Sequence, residues 1–411
     1  MQELSEHLAS PEFAQQARHP DFPKAFTRQR KLPLSQLVAC LISMRAQSQQ
    51  AMLDTFFAAA QGCSQFVRGL SDRAFAKARD HLHMPALAAL NDLIIKRADA
   101  GGIIKRWQGL RVVAGDASVL MPAIRACQLK RSAAAADQRL FALYLPGAEL
   151  TLHAQVHSAQ ESERAMLMAA LDKLDPQDVL VLDRGYPSAW LVALLTERGI
   201  RFVIRCDISS GWGAVKSFLR TGLAETNATL NKPSPQDVLD WACPEQAPSV
   251  RLVRQVSSNG QVRVLATNLP AKDFACDCFG DLYHQRWRIE EAFKRLKHRL
   301  KLEAVSGLSQ QALIVDVAAK IIADNLISLM CEAASEQANM QAQSRLCNRS
   351  YATQYMQRAL PAMMQLGADI LSMIEAAIDC MSKNTQRRVK DRSQPRATSR
   401  TKPHPSSCYK T

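Results

Sequence analysis

No run of about 18 apolar residues occurs in the sequence, which excludes a membrane-spanning helix. The first residues, MQELSEHLASPEF, are polar and acidic and hold no apolar core of the signal-peptide kind. Paired C-x-x-C motifs are missing, and Cys276-Asp-Cys278 has no His or Cys partner at zinc-finger spacing. The 11 cysteines, an odd number, therefore read as reduced thiols, several in apolar segments where a thiol packs as a small hydrophobe. Such usage points to a cytoplasmic protein. Acidic residues are the other shortage: 38 Asp and Glu face 52 Lys and Arg, giving a net charge of +14 and a pI near 9.4. A basic excess of that size favours polyanionic partners, either nucleic acid or an acidic membrane surface.

What is present is a soluble globular composition, 47% hydrophobic and 22% charged, in 411 residues, enough for two or three domains. Residues 1–105 read as a helical N-terminal domain. A long apolar stretch runs from Leu34 to Phe57, entered through Pro33 behind Arg28, Arg30 and Lys31. Ser71 is placed to cap a helix over SDRAFAKARDHL, where Phe75, Ala78 and Leu82 share helical spacing. Arg73, Lys77 and Arg79 ride on that helix. A basic face of this kind suits DNA phosphates or the solvated side of a bundle.

Near Leu110 the pattern changes. LRVVAGDASVLMP is β-branched and apolar and reads as a strand carrying Asp116. QRLFALYL and ELTLHAQVHSA form a hairpin through Pro146-Gly147. A helix from about Glu161 to Leu174 follows, then the buried-strand run DVLVLDRG ending on Asp183. Pro187 opens another helix, and Ile200 to Asp207 is a further strand. Three strands, helix, strand, helix, strand combine an antiparallel meander with parallel crossovers in one mixed α/β sheet. Residues 106–207 are its first part. Residues 208–269 are polar and read as a β-rich insertion, with a hairpin around Ser258-Asn259-Gly260. Residues 270–330 return to the first domain, with an apolar helix over Ala312 to Met330, and 331–381 form a helical C-terminal region. From Ser382 to 411 nine Lys or Arg stand against one Asp. That stretch reads as a basic disordered tail, which either binds phosphate backbones weakly or solubilises the chain.

The segment YHQRWRIEEAFKRLK, Tyr283 to Lys297, carries the most chemistry. On a helix, Tyr283, Arg286, Glu290 and Lys297 fall within an arc of about 60°. Ile289, Phe293, Leu296 and Leu300 form an apolar stripe beside it, and Arg288, Glu291, Arg295 and Arg299 lie on the far side. Glu291 is about 100° from Glu290 and off the strip, whereas Lys294 lies about 20° from Tyr283 and adds a cation beside it. An amphipathic helix with a charged border produces the same pattern.

Asp116, Asp183 and Glu290 stand out by position: first strand, end of the fourth, and the helix after the insertion. Phosphoryl transfer with two divalent cations needs a small cluster of carboxylates, and two or three suffice for Mg²⁺, which keeps some of its water. Taken singly, each acid also fits an ordinary strand-end or cap position. An aspartate-nucleophile phosphatase would want a second Asp two residues after Asp116, where the sequence has Ser118.

The spacing Y-x2-R-x3-E-x6-K, met by Tyr283, Arg286, Glu290 and Lys297, resembles the YREK signature of the DDE transposases of bacterial insertion sequences, in the cut-and-paste group called insertion-sequence family four. VVAGDASVL and VLVLDRGYP resemble that family's two Asp-bearing segments in the right order, and RKLPLSQLVACLISM and SDRAFAKAR its helical leader. The resemblance spans roughly residues 25–330. It implies a ribonuclease-H-like catalytic domain with a β-rich insertion, a DNA-binding N-terminal domain, and Asp116, Asp183 and Glu290 as catalytic metal ligands. The metal would be Mg²⁺, with Mn²⁺ able to substitute. Tyr283, Arg286, Lys297 and Arg184, with Lys294 beside them, would contact DNA. The implied activity is cleavage at the terminal inverted repeats of an element and joining of the 3′-OH ends to target DNA. It would be carried out by a homodimer in a paired-end complex on the nucleoid, in the bacterial cytoplasm and not at a membrane. The Asp183-to-Glu290 interval, 290 minus 183 or 107 residues, leaves room for a modest insertion. Trp190 and Trp287 are candidates for stacking on a flipped base, or for packing in the core. A related nuclease that cuts without strand transfer, or an inactive DNA-binding copy, would share most of these features.

Overall fold

A computed structural model of the chain describes residues 2–28, 31–44, 48–121, 138–207, 211–257, 260–304, 309–341, 344–364 and 369–387. Two compact units divide it: Gly102–Ser118 with Arg139–Ala292, and Met1–Gly101 with Val119–Gln138 and Phe293–Thr411.

The first unit is built on a single sheet of eight strands. In chain order they are β1 Arg111–Leu120, β2 Gln138–Leu145, β3 Leu150–Ser158, β4 Asp178–Leu182, β5 Arg201–Cys206, β6 Glu225–Thr229, β7 Ser249–Val256 and β8 Val262–Thr267. Their spatial order is β3-β2-β1-β4-β5-β8-β7-β6. β1 pairs with β4 and β4 with β5 in parallel. β2 and β3 are joined by only the four residues between Leu145 and Leu150, which an antiparallel hairpin alone allows. The expected mixed α/β sheet is therefore present, and its first five strands have the ribonuclease-H-like order. The segment 208–269 does not stand apart as a second sheet: β8 pairs antiparallel with β5, and β7 and β6 continue outward from it. The turn residues Ser258 and Asn259 lie outside the described residues.

Helices cover the sheet unit. α7 Glu163–Ala170 starts at Ser162, whose hydroxyl accepts from the Ala165 N–H at 3.1 Å, the N-cap arrangement. α8 Ala189–Glu197 buries six consecutive apolar residues, Trp190 to Leu195. Alternation along the strands places Val112, Val179, Val181 and Val203 in one buried cluster with Phe279, Leu282 and Tyr283. At the far end of β1 and β4, Arg111 and Asp178 form a buried two-pronged ion pair at 2.6 and 2.9 Å. The turn after β2 is tight at Gly147, where a Cβ would meet the backbone carbonyl of Lys105.

The second unit is helical. It contains α1 Gln2–Leu8, α2 Pro11–Gln16, α3 Leu34–Ser43, α4 Gln49–Ala60, α5 Asp72–Asp80 and α6 Met84–Ala100. The apolar stretch from Leu34 to Phe57 is thus divided between two helices, α3 and α4. Ser71 caps α5 as its sequence suggests, accepting from Ala74 N–H at 3.3 Å. Arg79, however, is not on a solvated face: it is 2% exposed and lies 3.8 Å from Asp316. Polar spacing on a helix marks solvent only when no buried partner answers it, and Asp316, on the later helix α13 Gln310–Gln341, answers this one. A two-stranded sheet pairs β9 Arg345–Cys347 with β10 Thr385–Arg387, flanked by α14 Arg349–Met363 and α15 Ile370–Ser382. Ordered structure therefore runs past Ser382, where unstructured chain was expected to begin. The basic stretch from 388 onward lies outside the described residues, as do Arg30, Cys127 and Cys408. No helix among the described residues is long and apolar enough to cross a membrane.

Candidate active site

The ladder between β1 and β4 sets Ala114 opposite Val181. Asp116 and Asp183 each lie two residues further on, so they stand side by side on neighbouring strands, Asp116 inside β1 and Asp183 just past the end of β4. Period-two alternation also turns both to the face that buries Val112 and Val181, and Arg205 follows Val203 onto that face from β5. The same face carries α11 Phe279–Gln285, whose Phe279, Leu282 and Tyr283 complete the apolar cluster. The packing that buries α11 thus delivers the residues after it to the two aspartates.

The expected continuous helix over Tyr283–Lys297 is two helices, α11 and α12 Trp287–His298, meeting at Arg286. The backbone there stays right-handed helical but tightens: Arg286 N–H donates to Tyr283 O at 3.2 Å and Ile289 N–H to Arg286 O at 3.1 Å, both three residues back. The strip nevertheless points the way the helical phase suggests. The Tyr283 hydroxyl donates to Asp183 Oδ1 at 2.9 Å. Arg286, only 2% exposed, reaches all three acids: Nη2 is 2.9 Å from Glu290 Oε1 and 3.7 Å from Asp183 Oδ2, and Nη1 is 3.5 Å from Asp116 Oδ2. Asp116, Asp183 and Glu290 are therefore brought to one place around a single guanidinium.

The remaining strip residues go elsewhere. Within the helical unit Lys297 donates to the Val119 carbonyl oxygen and lies 3.4 Å from Glu303. Lys294 is exposed. Arg184 is also exposed, with only a 3.8 Å approach to Asp207. Arg295, expected on the solvated side, is largely buried and pairs with Asp324 of α13 at 3.5 Å. The side of α12 opposite the strip is solvated only in part.

Burial pushes the Asp116 carboxyl up to about 7, against the pull of Arg286 and of the Ala117 N–H, with Glu163 and Asp183 adding repulsion. Burial opposes ionisation at Asp183 too. There the Arg286 guanidinium, the Arg184 backbone N–H, the Tyr283 hydroxyl and Arg205 outweigh it and hold the carboxyl below its ordinary value. Desolvation beside Asp183 pushes the Tyr283 phenol up to about 12. Tyr186 is fully buried close to Asp116 and Glu163, and its hydroxyl has no hydrogen-bond partner among the described residues.

Two participants were missed in the sequence. Arg205 lies 3.8 Å from Asp183, and its strand parity with Val203 was the available signal. Glu163, at the start of α7, had no signal beyond an ordinary first-turn acid. Beside the site is a cleft of about 340 Å³ lined by Arg139, Ser162, Glu163, Arg164, Gly185, Trp190 and Trp241. The indoles of Trp190 and Trp241 stack on each other there at 4.4 Å. Trp190 is 5% exposed, whereas Trp287 is 38% exposed.

Carboxylate oxygens are the ligands hard divalent cations take, and these three already share one cationic group. Asp116, with its raised pKa, is short of the positive charge such ions would bring. The donor chemistry fits divalent metal. Among the described residues, however, no three His, Cys, Asp or Glu side chains stand together as a ready-made metal site.

The mixed sheet thus carries one acid inside β1, one just past the end of the parallel strand β4 and one on the helix that follows the last strand. Residues 124–326, just under half of the chain, match the family described as transposase DDE domain, and the match supports a DDE transposase. The matched stretch contains Asp183 and Glu290 and begins downstream of Asp116. No curated protein matches the chain. Among solved structures, a piggyBac transposase synaptic complex with hairpin DNA is similar, at 11% identity and a TM-score of 0.42, over 95% of this chain and 84% of that one. A likeness at that level carries no inference.

Proposed function

We propose that the chain is a transposase that cleaves DNA at the ends of its own element and joins the freed 3′-OH ends to target DNA. The observation that carries this reading is the convergence of Asp116, Asp183 and Glu290 on one buried guanidinium. In this reading the three carboxylates hold divalent cations, Mg²⁺ with Mn²⁺ as a substitute. Bound there, such ions would activate the attacking oxygen and neutralise charge at the scissile phosphate. The chain's own groups do the rest. The Tyr283 hydroxyl fixes the orientation of Asp183. Arg205 adds positive charge on the β5 side. Arg184 and Lys294, both exposed, bind phosphates, with Lys297 further along the same helix. Residues 1–105 serve as the DNA-binding domain for the terminal inverted repeats. Two copies pair the two ends, because cutting and pasting one element requires both ends in one complex. The protein then acts on the bacterial nucleoid.

The test uses a duplex bearing one element end, incubated with Mg²⁺ and either the parent protein, Asp183→Ala or Glu290→Ala. The parent should nick and join, and both variants should lose these activities by a factor of about a thousand, the weight of several kcal/mol of charge stabilisation. Variants that cut as well as the parent would overturn the reading. Cleavage without any joined product would instead favour a nuclease.

A further inference from the structure

Arg286 occupies an unusual position for a DNA-contacting arginine. Its side chain is 2% exposed, and its Nη atoms face three carboxylates and no solvent. The Tyr283 ring lies 5.8 Å from its guanidinium carbon and closes another side. The group that bridges the acids is thus an internal cation, held by the same oxygens that the reading above assigns to metal.

Charge counting makes the two occupancies incompatible. One guanidinium supplies a single positive charge to as many as three carboxylates. Two divalent ions would supply four. With both present, a guanidinium 2.9 to 3.7 Å from the same oxygens would face the metal ions at like-charge contact distance. The guanidinium must then move away, and moving it from a buried place is costly unless an anion receives it. In a complex with DNA the nearest anion of suitable geometry is a backbone phosphate, which a planar guanidinium grips with two parallel hydrogen bonds.

The geometry points to Arg286 as an internal counter-ion that closes the carboxylate cluster until a DNA phosphate takes it, so that DNA binding opens the site to divalent metal. The inference rests on the metal reading above. Arg286 has a single guanidinium to share between the carboxylates and the phosphate. Affinity for metal and affinity for DNA are thereby linked, and the linkage is reciprocal.

The experiment measures Mn²⁺ binding to the full chain by the electron paramagnetic resonance signal of free Mn²⁺, first without DNA and then with a short 5′-phosphorylated duplex. The proteins are the parent, Arg286→Gln, and each combined with Asp183→Asn. Without DNA, Arg286→Gln should bind Mn²⁺ at least about tenfold more tightly than the parent, the weight of one nearby like charge. The duplex should tighten Mn²⁺ binding by the parent and leave Arg286→Gln nearly unchanged. Should Arg286→Gln fail to fold, Arg286→Lys is read in its place, because a compact ammonium cannot span three carboxylates. Equal Mn²⁺ affinity in the parent and the Arg286 variant, with binding lost on Asp183→Asn, would overturn the counter-ion role and leave the metal reading standing. Binding indifferent to Asp183→Asn in both backgrounds would remove the metal reading and this inference with it.

Discussion

Asp116, inside β1, and Asp183, just past the end of β4, stand at equivalent positions of adjacent parallel strands, yet they hold their protons differently. Asp116 is pushed up to about 7 by burial, whereas Asp183 is held below its ordinary value by four donors or cations around it. The asymmetry comes from placement. The Tyr283 hydroxyl, the Arg184 N–H and Arg205 all lie on the Asp183 side.

The raised Asp116 makes the metal-free protein lose stability as pH rises. A carboxyl whose folded pKa lies above its unfolded value contributes stability that is fully present below the unfolded value and lost as pH rises through the folded one. The window for Asp116 runs from 3.8 to about 7. Asp183 has the opposite sign, and its contribution is lost only as pH falls below the ordinary carboxylate range. Melting the protein in chelator across that window should show Tm declining toward neutrality, with a flatter profile for Asp116→Asn. Identical profiles would refute the assignment.

Arg205 was not expected from motif spacing and provides an independent check on the site. Its guanidinium is 3.8 Å from Asp183 Oδ1. Arg205→Ala should lower the cleavage rate by about tenfold through loss of one cation beside the carboxylate. The fold should persist, as judged by an unchanged circular dichroism spectrum. A variant as active as the parent would place Arg205 outside the chemistry.

The Arg111–Asp178 pair lies at the other end of the same two strands and is almost fully buried. Removing one partner leaves the other charge unpaired in the core, so Arg111→Met should cost about 3–5 kcal/mol in urea unfolding. Pairing it with Asp178→Leu should restore much of the loss. A mild single variant would mean that water reaches Asp178.

Gly147 lies in the turn that joins β2 to β3. A methyl group there would collide with the Lys105 carbonyl, a backbone atom that cannot rotate away. Gly147→Ala should therefore destabilise by about 1–3 kcal/mol. An unchanged melting temperature would show that the turn relaxes freely.

Much of this could be read in the sequence, for identifiable reasons. β1 and β4 announce themselves through β-branched runs, and helical phase selects Glu290 over Glu291. The hairpin turn at Pro146-Gly147 and the cap at Ser71 are local features, and local features survive folding. Features that depended on distant partners were hidden. Arg79 and Arg295 look like solvated residues until Asp316 and Asp324 appear across from them. Arg286 looks like a phosphate contact by motif, and nothing in the spacing reveals that its guanidinium is shared among three acids. The joining of β8 to β5 was equally invisible, because strand pairing depends on register between segments far apart in the chain.

That pairing has a consequence for how the molecule can vary. The chain leaves β5 at Cys206, adds β6 and β7 to the outer part of the same sheet, and comes back through β8 to the strand it left, since Cys206 pairs with Val264. Departure and return points are one strand spacing apart, about 4.8 Å. The connections from β5 to β6 and from β6 to β7 can change length without altering the distance the chain must cross to reach α11, whereas β7 itself puts Val253 into the cluster that buries α11. The aspartates and Glu290 are thus separated from those connections by the hydrogen-bonded β5–β8 ladder. A longer connection between Thr229 and Ser249 should therefore leave the aspartates and Glu290 where they are, whereas removing β7 would strip a side from the core under α11.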